Sequence, residues 1–284
     1  MKKTTLGLLK ASILASIAAT GALQLLSSKS FAQQGILPAC PASGSATQAE
    51  MQVYLNGCSS TPDQYEVTFF DIGICTSSPI TGTSFNPSSC VKLFESPGGR
   101  RVNLAGGSAL ELGKFEKLNA GRYTHLYAVI SNRFLIKGQY EIKNEGTWFT
   151  DGRDPDDAPG FNNATNIAPA IAFENLLSNF AGGDNDPCKT VDGFNLEGGS
   201  LDALLVNSSL QVACQGSTKI IASFVPSSPL VISEDDGNPT IDAAFTITNN
   251  GLVVYPRNTP GQGVLSFGGG GFFPRFRIIE DINR

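Results

Sequence analysis

The chain has 284 residues, of which 41% are hydrophobic and only 16% are charged, and its formal net charge is −5. An acidic chain lacks the positive stripe that phosphate groups require, so nucleic acid and anionic membrane surfaces are disfavoured as partners. Serine, threonine, asparagine and glycine supply much of the polarity, which is typical of extracellular β-proteins.

Residues 1–32 have the features of a secretory signal peptide. The segment begins with lysines, residues 6–26 are largely apolar, and Ser30 and Ala32 place small side chains at positions −3 and −1 of a cleavage site. The alternative is a retained membrane anchor, against which Lys10 and the cleavage site argue. No later stretch approaches the roughly 20 apolar residues that cross a bilayer.

Cleavage after Ala32 leaves 16 basic and 25 acidic residues, a net charge of −9. We therefore expect an exported protein that is periplasmic, on the cell surface or extracellular, with no stable membrane span after cleavage.

Six cysteines in an exported chain predict disulfide bonds, and fifteen pairings are open. Pairing between neighbours along the chain is favoured, because each bond then closes a short loop beside a strand end. A zinc site is disfavoured because the chain has no CxxC motif and a single histidine. The favoured pairs are Cys40–Cys58, Cys75–Cys90 and Cys188–Cys214.

Short alternating stretches predict strands along most of the chain. Residues 51–55 and 65–75 are the first two, and Phe70, Ile72 and Ile74 fall on one face of the second.

The stretch 119–142 predicts two strands joined by a tight turn at Ser131-Asn132. The second strand alternates between apolar and polar residues, so one face is buried. The first strand, centred on Leu126 and Tyr127, is apolar or aromatic on both faces. We expect this strand to lie in the middle of a sheet that is covered on both sides.

The pattern changes between Trp148 and Pro187, where turn residues and acidic residues dominate. Within this segment, residues 168–180 could form a helix, since Ala172, Leu176 and Phe180 are spaced by four. The alternative is a long elaborated loop of the kind that often carries binding sites.

Strands return after Cys188, and Asn249-Asn250-Gly251 predicts a hairpin because Asn and Gly accept a positive φ. A last strand follows the glycine tract at 268–271. It could complete its own sheet or, less readily, the sheet of a neighbouring copy.

These patterns predict a mostly β protein with an antiparallel β-sandwich and a second β-rich half. The predicted divisions are a signal peptide at 1–32, an N-terminal sandwich domain at 33–150, an acidic loop or short-helix insertion at 151–187, and a C-terminal region at 188–284 that packs on or extends the sandwich.

The segment from Phe115 to Leu126, with Ala120-Gly121-Arg122-Tyr123-Thr124 at its centre, resembles bacterial secreted domains of unknown function with transthyretin-like or Ig-like sandwiches. The resemblance covers at most residues 51–142. It implies a sandwich fold and a surface location, and it carries no catalytic residues.

The acidic loop that begins at Asp151 is a candidate Ca²⁺ site, because Ca²⁺ takes six to eight hard oxygen ligands. The alternative is a solvated acidic turn, and the spacing does not fit an EF-hand. The candidate ligands are Asp151, Asp154, Asp156 and Asp157.

Trp148, the only tryptophan, and Phe149 precede this loop and could form a platform for sugar rings. A position over the core is the more common role of a lone tryptophan at a strand end. His125, the only histidine, is expected to pack within an aromatic row rather than to act as a base.

Three classes of function follow. The first is a non-catalytic structural or interaction protein, secreted or on the cell surface, which self-associates through sheet edges or contacts surface glycans. The second is a Ca²⁺-assisted carbohydrate-binding module. The third and least supported is a secreted carboxylate-dependent hydrolase, because no motif selects a catalytic pair.

Overall fold

A computed structural model describes residues 37–105, 109–110, 118–155, 162–180, 188–196, 199–233, 240–247, 249–259 and 261–279. The predicted signal peptide lies outside them. The described part is mostly β, and its named strand pairs are antiparallel. The predicted fold class is confirmed.

The helical elements are α1 (Gln48–Met51) and two 3₁₀ turns (Gln52–Tyr54 and Pro87–Ser89). The strands of the first half are β1 (Cys58–Ser60), β2 (Gln64–Cys75), β3 (Ile80–Thr81), β4 (Ser84–Phe85), β5 (Cys90–Asn103), β6 (Ala109–Leu110), β7 (Gly121–Tyr123), β8 (His125–Ser131), β9 (Arg133–Lys137), β10 (Gln139–Ile142) and β11 (Gly146–Thr150). Those that follow are β12 (Ala164–Thr165), β13 (Phe173–Leu176), β14 (Lys189–Leu196), β15 (Gly199–Val206), β16 (Lys219–Pro226), β17 (Leu230–Ile232), β18 (Thr240–Thr246), β19 (Leu252–Pro256), β20 (Val264–Gly269) and β21 (Phe273–Ile279).

Strand β2 is the centre of an eight-stranded sheet, the main sheet. It pairs with β5 on one side. On its other side, its C-terminal half pairs with β8 and its N-terminal end pairs with β9. Strands β8 and β9 therefore form one line along β2, interrupted only at Asn132. The predicted tight turn at Ser131-Asn132 is wrong, because the chain continues in the same direction instead of turning back.

The main sheet divides beyond this line. Strand β8 is followed by β16, β15 and β14, whereas β9 is followed by β13. Asn132 lies at the point where β8 and β9 part to meet β16 and β13, which we call the fork, and it has no exposed surface. Its Nδ2 donates to the carbonyl oxygens of Leu177 and Ser217 and to Ser217 Oγ, each at 3.1 Å. Its backbone N–H donates to Thr218 O, and its carbonyl accepts from Leu177 N at 2.8 Å. One side chain thus holds both arms of the fork.

Strand β8 is covered on both faces, as the sequence predicts. Leu126 and Ile130 belong to the larger hydrophobic core, and Tyr127 and Val129 belong to a smaller one. The larger core also contains side chains from the smaller sheets, so it lies between layers. The smaller core is completed by partly buried residues of the β3–β4 hairpin and the loop after β15, among others: Phe70, Ile80, Phe85, Cys90, Leu210 and Val212.

A register shift in β2 changes the predicted faces of that strand. The pairing of β2 with β5 and with β8 shifts between Phe69 and Asp71. Phe69, Ile72 and Ile74 therefore face the larger core, while Phe70 packs against the smaller one. The predicted alignment of Phe70 with Ile72 and Ile74 is wrong, because a β-bulge inverts the alternation at this point.

The smaller sheets have the orders β1–β19–β20, β10–β11–β12 and β21–β18–β6, with two-stranded pairs β17–β7 and β3–β4. Strands β14 to β16 join the main sheet, and β19 and β20 join β1, so elements from both halves of the chain share sheets. The predicted division into domains stays a prediction.

Two local predictions are wrong. Residues 173–176 form strand β13, which pairs with β9, instead of the predicted helix at 168–180. Residues 48–51 form helix α1 and 52–54 a 3₁₀ turn, where a strand was predicted over 51–55. Thr47 and Glu50 cap α1 reciprocally, which stabilises its start. No helix in the described part of the chain is long and apolar enough to cross a membrane.

The turn at 249–251 forms, and Asn249 has a positive φ of 56°. It links β18 to β19, which belong to different sheets, so it does not close the predicted hairpin. The glycine tract at 268–271, which begins within β20, is closely packed at Gly270. A Cβ at Gly270 would lie 1.6 Å from Asn250 O, and Tyr65 Oη donates to Gly270 O at 2.8 Å. Strand β21 then pairs with β18 of its own chain.

The variant Asn132→Ala tests the fork. Removal of the amide leaves the buried carbonyl oxygen of Leu177 and the partly buried carbonyl oxygen of Ser217 without this donor, so we expect the free energy of unfolding to fall by about 1–3 kcal/mol. Urea denaturation measures it. Asn56→Ala, in an exposed turn, is the control and should change stability by less than about 0.5 kcal/mol. Equal effects of the two variants would contradict the role of Asn132.

Candidate functional site

The acidic loop begins where β11 ends. The carboxylate of Asp151 accepts hydrogen bonds from Arg153, through the backbone N–H at 3.0 Å and through Nε at 2.8 Å, and it forms an ion pair with the same guanidinium. Asp151 N donates to Asn163 O at 3.0 Å. The neighbouring arginine therefore already neutralises the first acidic residue of the predicted Ca²⁺ site.

Of the other predicted ligands, Asp154 is partly buried, while Asp156 and Asp157 lie outside the residues that the structure describes. Within the described ranges, no three His, Cys, Asp or Glu side chains are grouped so that they could hold a metal ion. The Ca²⁺ site stays a prediction.

Trp148 is partly buried and packs against the larger core. Backbone at Gly263 lies against its indole ring, since a Cβ at Gly263 would be 1.9 Å from Trp148 Cε2. The carboxylate of Glu145 fixes this backbone by accepting hydrogen bonds from Gly261 N at 2.9 Å and Gly263 N at 3.2 Å. Part of the ring is therefore covered by the chain itself.

Phe149 is the next residue of β11, and it is partly buried. In the register of the β10–β11–β12 sheet it lies between Gln139 and Thr165. Because successive side chains of a strand point to opposite faces, Trp148 and Phe149 do not form one continuous platform. Binding of a ligand by either residue stays a prediction.

His125 begins β8 on the face of the smaller core. Thr124 Oγ1 donates to Thr76 O at 3.0 Å, and it lies 2.9 Å from His125 Nδ1. The hydroxyl has one hydrogen, so it accepts from Nδ1–H. Burial lowers the pKa of His125, and Asp202 opposes this effect. Thr124 thus orients the His125 ring through its Nδ1–H.

A cluster on the same face was not anticipated from the sequence. Tyr127 Oη donates to Asp71 Oδ1 at 3.0 Å, and Lys92 Nζ lies 3.2 Å from Asp71 Oδ2 and 2.7 Å from Glu95 Oε1. Burial raises the pKa of Asp71, against smaller lowering effects of Tyr127 and Lys92. Burial and the adjacent Asp71 raise the pKa of Tyr127.

The residues of this cluster come from three neighbouring strands, β2, β5 and β8, so only the register brings them together. Phe85 packs edge-on to Tyr127, with ring centroids 5.4 Å apart. Each polar group in the cluster has a partner within it, which is the arrangement of an ion-pair network rather than of an open reactive centre.

All six cysteines are paired in the predicted way, as Cys40–Cys58, Cys75–Cys90 and Cys188–Cys214, and none is free. Cys75 and Cys90 are direct partners in the β2–β5 register. This bond closes the loop that carries Ile80 and Phe85 over the smaller core.

Comparisons with known proteins give no relative: no family model, no curated protein and no solved structure matches this chain.

The variant Glu145→Ala tests how Trp148 is covered. Without the carboxylate, the backbone at 261–263 loses two hydrogen bonds and should move away from the ring. We expect the fluorescence emission of the single tryptophan to shift to the red and its quenching by acrylamide to increase. Glu141→Ala, on the same small sheet, is the control. Unchanged emission in Glu145→Ala would contradict this geometry.

The variant Asp71→Asn tests the buried carboxylate. A raised pKa means that the folded state binds a proton more readily than the unfolded state, so the contribution of Asp71 to the free energy of unfolding falls as pH rises through its pKa. The amide does not titrate. The stability of Asp71→Asn relative to wild type should therefore increase between about pH 3 and pH 7 in urea denaturation. A difference independent of pH would contradict this.

Proposed function

We propose that this protein is an exported, non-catalytic structural or interaction component, secreted or located at the cell surface or in the periplasm. The observation that carries the proposal is the complete pairing of the six cysteines. Disulfides persist in oxidising compartments and are rare in the reducing cytosol. The leader-like segment at 1–32 supports the same compartment.

The use of polar groups in the described part supports a non-catalytic role. Asp71 binds both Lys92 and Tyr127, Asp151 binds Arg153, and the buried amide nitrogens of Asn132 and Asn163 bind backbone carbonyl oxygens. The amide of Asn163, for example, accepts from Phe267 N at 2.7 Å and donates to Phe267 O at 3.0 Å. These side chains stabilise the fold instead of converging on an open reactive centre.

The sheet edges favour contact through side chains over the addition of a strand. Residues 38–40 run along β1, with hydrogen bonds from Cys40 N to Ser59 O and from Ser59 N to Pro38 O. The side-chain amide of Asn163 forms hydrogen bonds with the backbone N–H and carbonyl of Phe267 on β20, so these groups do not pair with another strand. Strand β5 carries Pro97 and exposed charges, which discourage pairing at an edge. Self-association through edges stays a prediction.

Expression of the full chain in a bacterium with a periplasm tests the proposal. We expect the protein in the periplasm or beyond, with Gln33 as its first residue and no thiol that reacts before reduction. Deletion of residues 2–32 is the control and should retain the chain in the cytosol with reactive thiols. A full-length chain that stays cytosolic with Met1 intact, or that carries free thiols outside the cytosol, would overturn the proposal.

A further inference from the structure

One of the three disulfides joins directly opposite residues of two neighbouring strands. Cys75 ends β2, Cys90 begins β5, and the two residues are partners in the antiparallel register. The backbone hydrogen bond from Thr76 N to Ser89 O at 3.0 Å makes them a non-hydrogen-bonded pair, which is the closer of the two kinds of pair in an antiparallel sheet. We call this disulfide the cross-strand bond.

The sheet holds these two cysteines closer together than a disulfide favours. Non-hydrogen-bonded partners have Cα atoms about 4.5 Å apart, whereas the Cα atoms of disulfides usually lie roughly 4.4–6.8 Å apart. The separation is 3.9 Å in the cross-strand bond, against 5.0 Å in Cys40–Cys58 and 4.8 Å in Cys188–Cys214. Because compression makes a disulfide easier to reduce, the strand register weakens this bond relative to the other two.

The pairing of β2 with β5 does not depend on the cross-strand bond. Beside the bond, Ile74 pairs with Val91, and Ile74 has no exposed surface. The ring of Tyr127 lies over Gly73, since a Cβ there would be 2.3 Å from Tyr127 Cε1. Packing and hydrogen bonds therefore hold both strands in place, so the folded protein can lose this bond without unfolding.

Cys90 is the accessible end of the cross-strand bond. Cys75 has no exposed surface, whereas Cys90 is partly exposed. Among the strands that the structure describes, β5 pairs with β2 alone, so its other edge is not covered by a strand. Thiol–disulfide exchange depends on access to the sulfur that is attacked, and this arrangement favours attack at Cys90 Sγ.

We propose that the cross-strand bond is a redox-exchange site, which a dithiol reduces in the folded protein while the other two disulfides stay oxidised. One thiolate of the dithiol bonds to Cys90 Sγ and displaces Cys75 as a thiolate, which takes up a proton. The second thiol attacks the mixed disulfide, so Cys90 leaves as a thiol and the dithiol becomes a disulfide. The β3–β4 hairpin, which carries Ile80 and Phe85 over the smaller core, then loses its covalent base.

Reduction at equilibrium tests the proposal. The purified chain with all three bonds formed is equilibrated with mixtures of reduced and oxidised dithiothreitol, and free thiols are trapped with N-ethylmaleimide and located by peptide mass spectrometry. We expect the equilibrium constant for reduction to be at least about tenfold larger for the cross-strand bond than for the other two, while circular dichroism reports a folded protein. Earlier reduction of another bond, or reduction of all three together with unfolding, would overturn the proposal.

Two double variants give a matched comparison. The first carries Cys75→Ser and Cys90→Ser, and the second carries Cys40→Ser and Cys58→Ser. The paired cysteines are 15 and 18 residues apart, and each pair has one buried and one partly exposed member, so the loss of chain constraint is nearly the same. A compressed bond stabilises the folded state less, so the first variant should lower the urea midpoint less than the second. An equal or larger decrease in the first variant contradicts the proposal.

Hydrogen exchange of the protein reduced only at the cross-strand bond tests the consequence for the hairpin. We expect the backbone amides of residues 76–89 to exchange several-fold faster than in the oxidised protein, and those of β2 and β5 to keep their rates. Faster exchange throughout β2 and β5 would show that the bond holds the strands together, and unchanged exchange at 76–89 would show that it does not restrain the hairpin; either result sinks the inference. The test does not depend on export, since it uses the purified chain.

Discussion

The fold depends on a buried amide at the point where the main sheet divides. Asn132 interrupts the line formed by β8 and β9, and its side chain and backbone bind Leu177, Ser217 and Thr218 on the two arms. These hydrogen bonds offset the cost of burying the Nδ2 and backbone groups of Asn132, whereas its Oδ1 is buried without a hydrogen-bond partner among the described residues. Because those partners come from segments far apart in sequence, this residue links the insertion after β11 to the strands of the C-terminal half.

The position of β8 beside β2 also explains why the described part of the protein has two hydrophobic cores. Strand β8 is buried on both faces, so a second layer must cover the face that points away from the larger core. The β3–β4 hairpin supplies part of this layer, and the Cys75–Cys90 bond holds its ends at adjacent strands. The cluster of Asp71, Lys92 and Tyr127 forms at the same layer, where partial burial strengthens its hydrogen bonds. Disulfide and ion pairs thus support one face of a single sheet.

Sequence patterns were informative where the determinants are local. The two apolar faces of β8 follow from alternation, and the disulfides link neighbouring cysteines. Patterns failed where tertiary pairing decides: Ser131-Asn132 has the residues of a turn, yet β2 offers hydrogen bonds to both flanking strands. Residues 173–176 have helical spacing, yet the backbone of β9 binds them as a strand. The Asp71 cluster depends on a bulged register of β2 that no local pattern encodes.

The most direct test of this account is a set of backbone nuclear Overhauser effects on the oxidised, deuterated protein. The fork requires cross-strand contacts of β2 with both segments, between Ile72 and Ala128 and between Tyr65 and Ile136. The account predicts both contacts in the same molecule, together with a contact between Asn132 and Leu177. Cross-strand contacts between β8 and β9 themselves, as in a hairpin closed at Ser131-Asn132, would contradict it.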